Sequence, residues 1–258
     1  MRLMKRILSA AAVLALSASL LVGCSSGTAS SVPVSASSAA ESTVSSVEET
    51  ASSAVDENEA AAAQLLNDLT GSYQELWPVI LADEYKQTWL DDCTALVGED
   101  NAEAAFEKLS SMVTGDVYGE DAVKAYANGG GAYFCGFTNS LAILTFDGET
   151  STISGTDKDG NVLFSHAYHY IGMEPVRGLY EFESDDADSG EFTYFFLAPD
   201  TSAETYHIEF RYGSDAEALS QYDTGEYAYW LASGISTDCD QTMIDKFIEL
   251  FCTENLAG

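Results

Sequence analysis

The spacing of apolar residues in the first half of the chain is typical of helices. Three segments there are rich in good helix formers or place apolar residues three to four positions apart: 57–69, 102–113 and 121–127. In the second segment, Phe106 and Leu109 fall on one face. The glycine run at 129–131 then interrupts the pattern. This half of the chain is therefore predicted to contain three helices.

From about residue 141 onward, apolar and polar residues alternate instead. Six short segments have this period of two and are separated by Gly, Pro or Asp: 141–146, 150–154, 161–171, 179–183, 192–197 and 206–212. Asp147 and Gly148, between the first two segments, are a hairpin signal. Short antiparallel strands in succession predict a meander that closes into a barrel or forms a sharply curved sheet.

Two further helices are predicted at the end of the chain. Ser214 and Glu217 have the spacing of a capping box, so a helix is expected to start at Asp215. Segment 240–253 carries one apolar stripe that includes Phe247 and indicates a helix laid against the sheet. The predicted fold class is α+β, mostly β, with N-terminal helices and a C-terminal packing helix.

The first residues have the layout of a bacterial export signal. Positive charges precede an apolar stretch over 7–22, which is short for a membrane span and has no charged flank behind it. The string Leu21-Val22-Gly23-Cys24 resembles the lipobox of bacterial lipoproteins. This resemblance implies cleavage before Cys24 and lipidation of its thiol. We therefore expect a signal peptide over 1–23 and an extracytoplasmic protein that Cys24 anchors to the lipid bilayer.

The segment that follows, 24–58, consists almost entirely of small and polar residues and has no aromatic side chain. Such a composition buries too little apolar surface to offset the entropy of ordering, so a disordered tether is expected. The remaining residues, 59–258, are enough for one domain with its own core.

The charge balance excludes some partners. With 42 acidic and 10 basic residues, the formal net charge is −32. Nucleic acids and anionic lipid headgroups both require a basic surface, so neither is an expected partner. The acidic excess is compatible with attraction of cations and equally with the solubility of an exposed protein.

Four cysteines other than Cys24 are present, and the sequence leaves their pairing open. Cys93, Cys135, Cys239 and Cys252 allow two disulfides in three connectivities, or free buried thiols. None has the Cys-x-x-Cys spacing of a thiolate zinc site or a redox pair.

Catalytic motifs are not found. The sequence has no Gly-x-Ser-x-Gly elbow, no His-Glu-x-x-His and no Gly-rich phosphate loop before a helix. We therefore expect a binding protein rather than an enzyme, with a hydrolase of unrecognised site as a minor alternative.

The strand predicted over 206–212 carries the most informative polar residues. Alternation places Tyr206, Ile208, Phe210 and Tyr212 on one face, and the other face then carries His207, Glu209 and Arg211. Because His207 and Glu209 are two positions apart, both can reach one cation, and imidazole with carboxylate suits zinc. The alternative is a solvated ladder of polar side chains without a metal.

Five segments resemble, in order, the ZinT family of extracytoplasmic zinc-binding domains. They lie at 69–78, 124–126, 167–172, 177–183 and 203–208 and read LTGSYQELWP, KAY, AYHYIG, RGLYEFE and AETYHI. The last segment, for example, is similar to the family's Ala-Glu-His-Phe-His-Ile. The resemblance covers most of residues 66–252. It implies a lipocalin-like barrel with helical additions, in agreement with the pattern of elements.

The resemblance also implies a zinc site, although with altered ligands. The family binds zinc through both histidines of His-x-His and an earlier histidine in Ser-Asp-His. His207 matches the second of these, Thr205 stands at the first, and no histidine stands near Asp200. Asp200 or Glu209 could substitute, and such an oxygen-rich site suits calcium, manganese or weakly held zinc. The expected metal ligands are thus His207, Glu209 and Asp200.

Two functions follow as expectations. The first is a surface-anchored lipoprotein that binds a divalent metal ion, zinc foremost, for scavenging or for delivery to a metal transporter. The second is a lipocalin-like module that has lost the metal and binds another small ligand or a peptide. Tyrosines such as Tyr168, Tyr194, Tyr206 and Tyr212 could line its pocket, and the alternative is that they are core or half-buried strand residues.

Overall fold

Eight antiparallel strands close into a barrel in which consecutive strands pair and β8 returns to β1. The structure is a computed structural model and describes residues 57–198 and 207–257. The expectations for the signal peptide, Cys24 and Asp200 lie outside the described residues, as does the tether except for residues 57 and 58, which are helical rather than disordered. The strands are β1 (Gly71–Glu75), β2 (Ile143–Asp147), β3 (Thr152–Thr156), β4 (Val162–Met173), β5 (Tyr180–Ser184), β6 (Tyr194–Leu197), β7 (His207–Gly213) and β8 (Ala232–Ser236).

Most helices lie before β1, between β1 and β2, or at the end of the chain. They are α1 (helical over 57–68), α2 (Leu76–Ile80), α3 (Lys86–Val97), α4 (Glu99–Val113), α5 (Glu120–Ala127), α6 (Ala216–Leu219) and α7 (Gln241–Leu256). Short 3-10 turns occupy Asp83–Tyr85 and Gly190–Phe192. Within the described ranges, no helix has the length and apolar character needed to cross a membrane.

The architecture confirms the predicted α+β class, a lipocalin-like barrel with N-terminal helices and a C-terminal packing helix. The sequence pattern does not predict β1, β8, α2 or α3. Strand β8 is buried at all five positions, so its residues do not alternate between apolar and polar. Helix α3 buries only Trp89 and Cys93, which is too narrow an apolar stripe to stand out in the sequence.

Helix α6 starts where the sequence predicts, but its cap differs from the predicted one. The Asp215 carboxylate accepts a hydrogen bond from the Ala218 backbone N–H at 3.0 Å, so Asp215 is the N-cap. The hydroxyl of Ser214 instead lies 3.4 Å from the carboxylate of Glu191. Asp caps a helix as well as Ser does, which explains why the start is unchanged.

Large aromatic side chains fill the interior of the barrel. In the cross-strand register, Phe182 lies opposite Phe195, and Phe195 lies opposite Tyr212. An eight-stranded barrel is just wide enough for side chains to fill its centre. The largest fully buried rings of this core are Phe146, Phe182, Phe195, Phe196, Phe210, Tyr212 and Trp230.

A second hydrophobic core lies between the outer face of the barrel and helices α2, α3, α4 and α7. Ile235 of β8 belongs to this core, together with Trp77 and Trp89. The ring of Phe251 on α7 packs edge-to-face on both indoles, at centroid distances of 4.9 Å from Trp77 and 6.0 Å from Trp89. Helix α7 is therefore held against the barrel by aromatic contacts.

The outer face of β7 carries a buried cation, Arg211, which is 0% exposed. Its guanidinium donates hydrogen bonds to the carbonyl oxygens of Leu219, Gln221 and Tyr227. It also lies 4.3 Å from the centroid of the Tyr222 ring. Burial lowers the pKa of Arg211 to about 10, so the side chain remains charged at neutral pH. Arg211 thus fixes α6 and the chain that follows it onto the barrel.

Replacing Arg211 should destabilise the protein strongly. Arg211→Met leaves three carbonyl oxygens without the guanidinium that donates to them. Two of these hydrogen bonds, to Leu219 and Tyr227, are buried. We expect a loss of about 3 kcal/mol in the free energy of unfolding, measured by urea denaturation. Lys86→Met is the matched control, because the ion pair of Lys86 with Glu103 is exposed. The control should change the free energy by no more than about 0.5 kcal/mol, and equal effects of the two variants would contradict this account.

Candidate functional site

Strand β7 separates its side chains as the sequence predicts. Phe210 lies opposite Ala232 and Leu197, and the rings of Phe210 and Tyr212 are fully buried in the barrel core. His207 lies opposite Ile235, which belongs to the outer core beneath the helices. His207, Glu209 and Arg211 therefore share the outer face of the strand. This face is not a solvated ladder, because Arg211 is buried and the other two side chains are half-buried.

The side chain of His207, at the start of β7, lies against helix α7. Its imidazole packs edge-to-face on the Phe247 ring, with 4.9 Å between the ring centroids. Burial lowers the pKa of His207 from 6.5 to about 4. The imidazole is therefore neutral at physiological pH, which is the protonation state that binds metal ions.

Glu209 is the second half-buried polar side chain on this face. It lies opposite Ser233 of β8, whose backbone N–H donates to the carbonyl oxygen of Cys135 at 3.0 Å. Burial raises the pKa of the Cys135 thiol to about 12, and the nearby charge of Glu209 adds to the rise. Cys135 is thus a neutral thiol close to the candidate site. Its position in the sequence gives no sign of this, because the contact depends on the pairing of residue 135 with β8.

The described part of the candidate site supplies two of the three expected ligands. Within residues 57–198 and 207–257, no group of three or more His, Cys, Asp or Glu side chains is placed to hold a metal ion. Asp200, the third expected ligand, falls outside these ranges. The donor types of His207 and Glu209 fit zinc, but a complete site also needs at least one further protein ligand.

The other two histidines lie on β4, which β5 and β6 separate from β7. His166 and His169 differ in parity, and only His166, opposite the buried Ile153, faces the interior. The Nδ1 atoms of His166 and His169 lie 2.7 Å from the carboxylates of Asp186 and Asp185, respectively. The structure therefore does not bring either histidine to the face that carries His207.

The tyrosines expected to line a ligand pocket have mainly structural contacts. Tyr168 and Tyr212 are buried in the barrel core, and the Tyr168 hydroxyl donates to the carbonyl oxygen of Phe192. Tyr194 is half-buried beside Glu183, and Tyr206 falls outside the described residues. These contacts argue against a ligand held at the centre of the barrel.

A surface groove of about 490 Å³ lies where the start of α2 meets strands β2 and β3. It is lined by both apolar and polar residues, including Val79, Ile143, Asp157 and Lys158. The carboxylate of Glu75, also part of its lining, accepts a hydrogen bond from the Phe137 backbone N–H at 2.6 Å. A groove of this size can accommodate a small organic molecule.

No protein-family model matches the chain, and no curated protein matches it significantly in sequence. Among solved structures, the chain is similar to the Zn(II)-bound ZinT-like domain of Streptococcus pneumoniae AdcA, with 15% identity and a TM-score of 0.45. This match covers 71% of the present chain and 89% of that chain. The chain is also similar to Zn(II)-bound AdcA from the same organism, with 13% identity and a TM-score of 0.43, over 72% of this chain and 35% of that one.

The half-buried imidazole of His207 should make the metal-free protein less stable in acid. The pKa of His207 is about 4 in the folded state and about 6.5 when the chain unfolds, so between these values the unfolded state binds more protons. The free energy of unfolding should therefore fall as the pH is lowered from about 6.5 to about 4.5. Over this pH interval, the free energy of unfolding of His207→Gln should fall by about 2 kcal/mol less than that of the wild type.

The measurement is urea denaturation at both pH values in the presence of a chelator. His169→Gln is the control, because the side chain of His169 is 53% exposed and lies on another strand. This control should follow the wild type. A His207→Gln variant with the same acid dependence as the wild type would show that the His207 imidazole is not shielded.

Proposed function

We propose that this chain is an extracytoplasmic lipoprotein, anchored through Cys24, whose domain binds a divalent metal ion on His207 and Glu209. Asp200 is the further ligand in this proposal, and zinc is the preferred ion. The protein scavenges the metal or delivers it to a metal transporter, as the resemblance to the ZinT family implies. It is proposed to act as a binding protein and not as an enzyme.

The observation that carries this proposal is the arrangement of two metal-binding side chains on one face of β7. His207 and Glu209 both lie on the outer face, two residues apart and half-buried. Partial burial strengthens a charge-based interaction with a cation, because less water screens it. The low pKa of His207 supports the same function, since no proton has to be displaced from its imidazole at neutral pH.

Among the proposed ligands, the imidazole of His207 is the one that favours zinc over hard cations. Imidazole nitrogen with carboxylate oxygen is a zinc ligand combination, whereas calcium is held almost entirely by oxygen. The net charge of −32 raises the local concentration of any cation near the surface. This second effect is unspecific, so selectivity would come from His207.

Calorimetric titration of the metal-stripped protein with zinc tests the site. The wild type should bind one zinc ion per chain with micromolar or tighter affinity. His207→Ala should abolish this binding, and Glu209→Gln should weaken it at least tenfold, because each variant removes one of few ligands. The titration is run at high salt so that unspecific association with surface carboxylates is screened.

His169→Ala is the matched control for the loss of an imidazole. His169 pairs with Asp185 on β4 and should not affect the one-to-one binding. Weak, multi-site and salt-sensitive binding by the wild type would contradict the proposal. That result would favour the second candidate function, the binding of an organic ligand or peptide in the groove beside Val79 and Lys158.

The membrane anchor has its own test. Cys24→Ser removes the thiol that receives the lipid, so the variant should remain an unprocessed precursor without lipid, detected by mass spectrometry of the cell fractions. The wild type should be cleaved before residue 24 and carry acyl chains. A wild-type protein that is cleaved elsewhere and released in soluble form would contradict the anchor.

A further inference from the structure

Two cysteines that are far apart in the sequence meet in the second hydrophobic core. Cys93 lies in α3 and Cys252 in the last part of α7, and their Sγ atoms are 3.9 Å apart. Both side chains are 0% exposed. Among the four cysteines in the described part of the chain, only these two have their sulfur atoms within hydrogen-bonding distance of each other.

The other two cysteines have different surroundings. The thiol of Cys135 lies 4.0 Å from the carbonyl oxygen of Tyr133, beside β8. Cys239 is half-buried just before the N-cap of α7, Asp240, and its backbone N–H donates to the carbonyl oxygen of Ser236. The geometry therefore favours a single pairing, Cys93 with Cys252, rather than any of the three arrangements with two disulfides.

We propose that Cys93 and Cys252 form a disulfide that fastens the C-terminal helix α7 over the candidate metal site, while Cys135 and Cys239 remain thiols. The proposal rests on the export part of the proposed function, because disulfides persist outside the cytoplasm. In the reaction, a protein or small-molecule disulfide accepts two electrons from the two thiols. The new bond joins the Sγ atoms of Cys93 and Cys252, and the oxidant leaves as two thiols that carry both protons.

The burial of both thiols determines when the bond can form. Burial raises the pKa of Cys93 and of Cys252, so the folded pair is mostly protonated and slow to react. Oxidation must therefore take place while α7 is not yet docked on α3. After docking, the same burial protects the disulfide from reductants.

The bond would stabilise α7 because it closes a long loop. Cys93 and Cys252 are 159 residues apart, and a cross-link over such a separation removes much of the freedom of the unfolded chain. Helix α7 also carries Phe247, which covers the imidazole of His207. A link at Cys252 thus holds in place the helix that shields the metal-binding face.

The test uses the full chain from the producing bacterium. The protein is denatured so that all free thiols are alkylated, and it is then digested without reductant and analysed by mass spectrometry. The expected result is one cross-linked peptide pair that contains Cys93 and Cys252, with Cys135 and Cys239 alkylated. Digestion of the protein by protease added to intact cells shows that the chain is exported. If Cys93 and Cys252 are alkylated in such exported protein, the disulfide proposal is wrong and the export proposal still holds.

Retention of the chain inside the cell would instead overturn export. In that case the purified full chain is refolded with oxidised and reduced glutathione. Selective formation of the same cross-link would support the pairing of Cys93 with Cys252. A different pairing, or none, would overturn it.

Thermal unfolding distinguishes a covalent bond from simple packing of two thiols. Cys93→Ala, Cys252→Ala and the double variant should all lower Tm by about the same amount, roughly 5–15 °C, because each breaks the same bond. Wild-type protein that is unfolded and refolded in the presence of reductant should show the same decrease in Tm. The same treatment should leave the Tm of the double variant unchanged. Cys239→Ala is the control and should retain the cross-link. Additive effects of the two single substitutions would overturn the disulfide.

Discussion

The side chains of strand β7 point alternately into the barrel and outward, so one strand contributes both to the core and to the candidate site. Ile208, Phe210 and Tyr212 must point into the barrel, since their burial closes the hydrophobic interior. The same alternation places His207 and Glu209 on the outer face. The proposed metal ligands are therefore positioned by a strand that pairs with both β6 and β8, and a shift of register by one residue would turn the core residues outward and the proposed ligands inward.

Contacts on the outer face of the barrel hold the helices of the second layer in place. Arg211 attaches α6 and the following chain at one end of β7, and α7 covers the other end through Phe247. This second layer keeps His207 neutral by excluding water. Helix α7 carries both Cys252, which contacts Cys93, and Phe247, which contacts His207. The contact between the two cysteines therefore affects the helix that packs on the candidate site. Helix α7 therefore links the stability of the outer layer to the proposed metal site.

The sequence pattern was sufficient for six of the eight strands, for most helices and for the outward direction of His207 and Glu209, but not for β1 and β8, whose pairing closes the barrel. The features that it predicts depend on local periodicity, which a single sequence displays. The pattern could not show β8, whose small residues are buried at every position, nor the burial of Arg211 by chain that lies further along the sequence. The contact of Cys93 with Cys252 and the position of Cys135 beside β8 also depend on tertiary packing between distant segments.

The central claim is that one metal ion is held on the outer face of β7. Crystals of the protein grown with zinc, measured at the zinc absorption edge, test it most directly. The account predicts one strong anomalous peak, about 2.0–2.2 Å from an imidazole nitrogen of His207 and from a carboxylate oxygen of Glu209. Anomalous peaks found only at exposed carboxylates, with none beside His207, would contradict it.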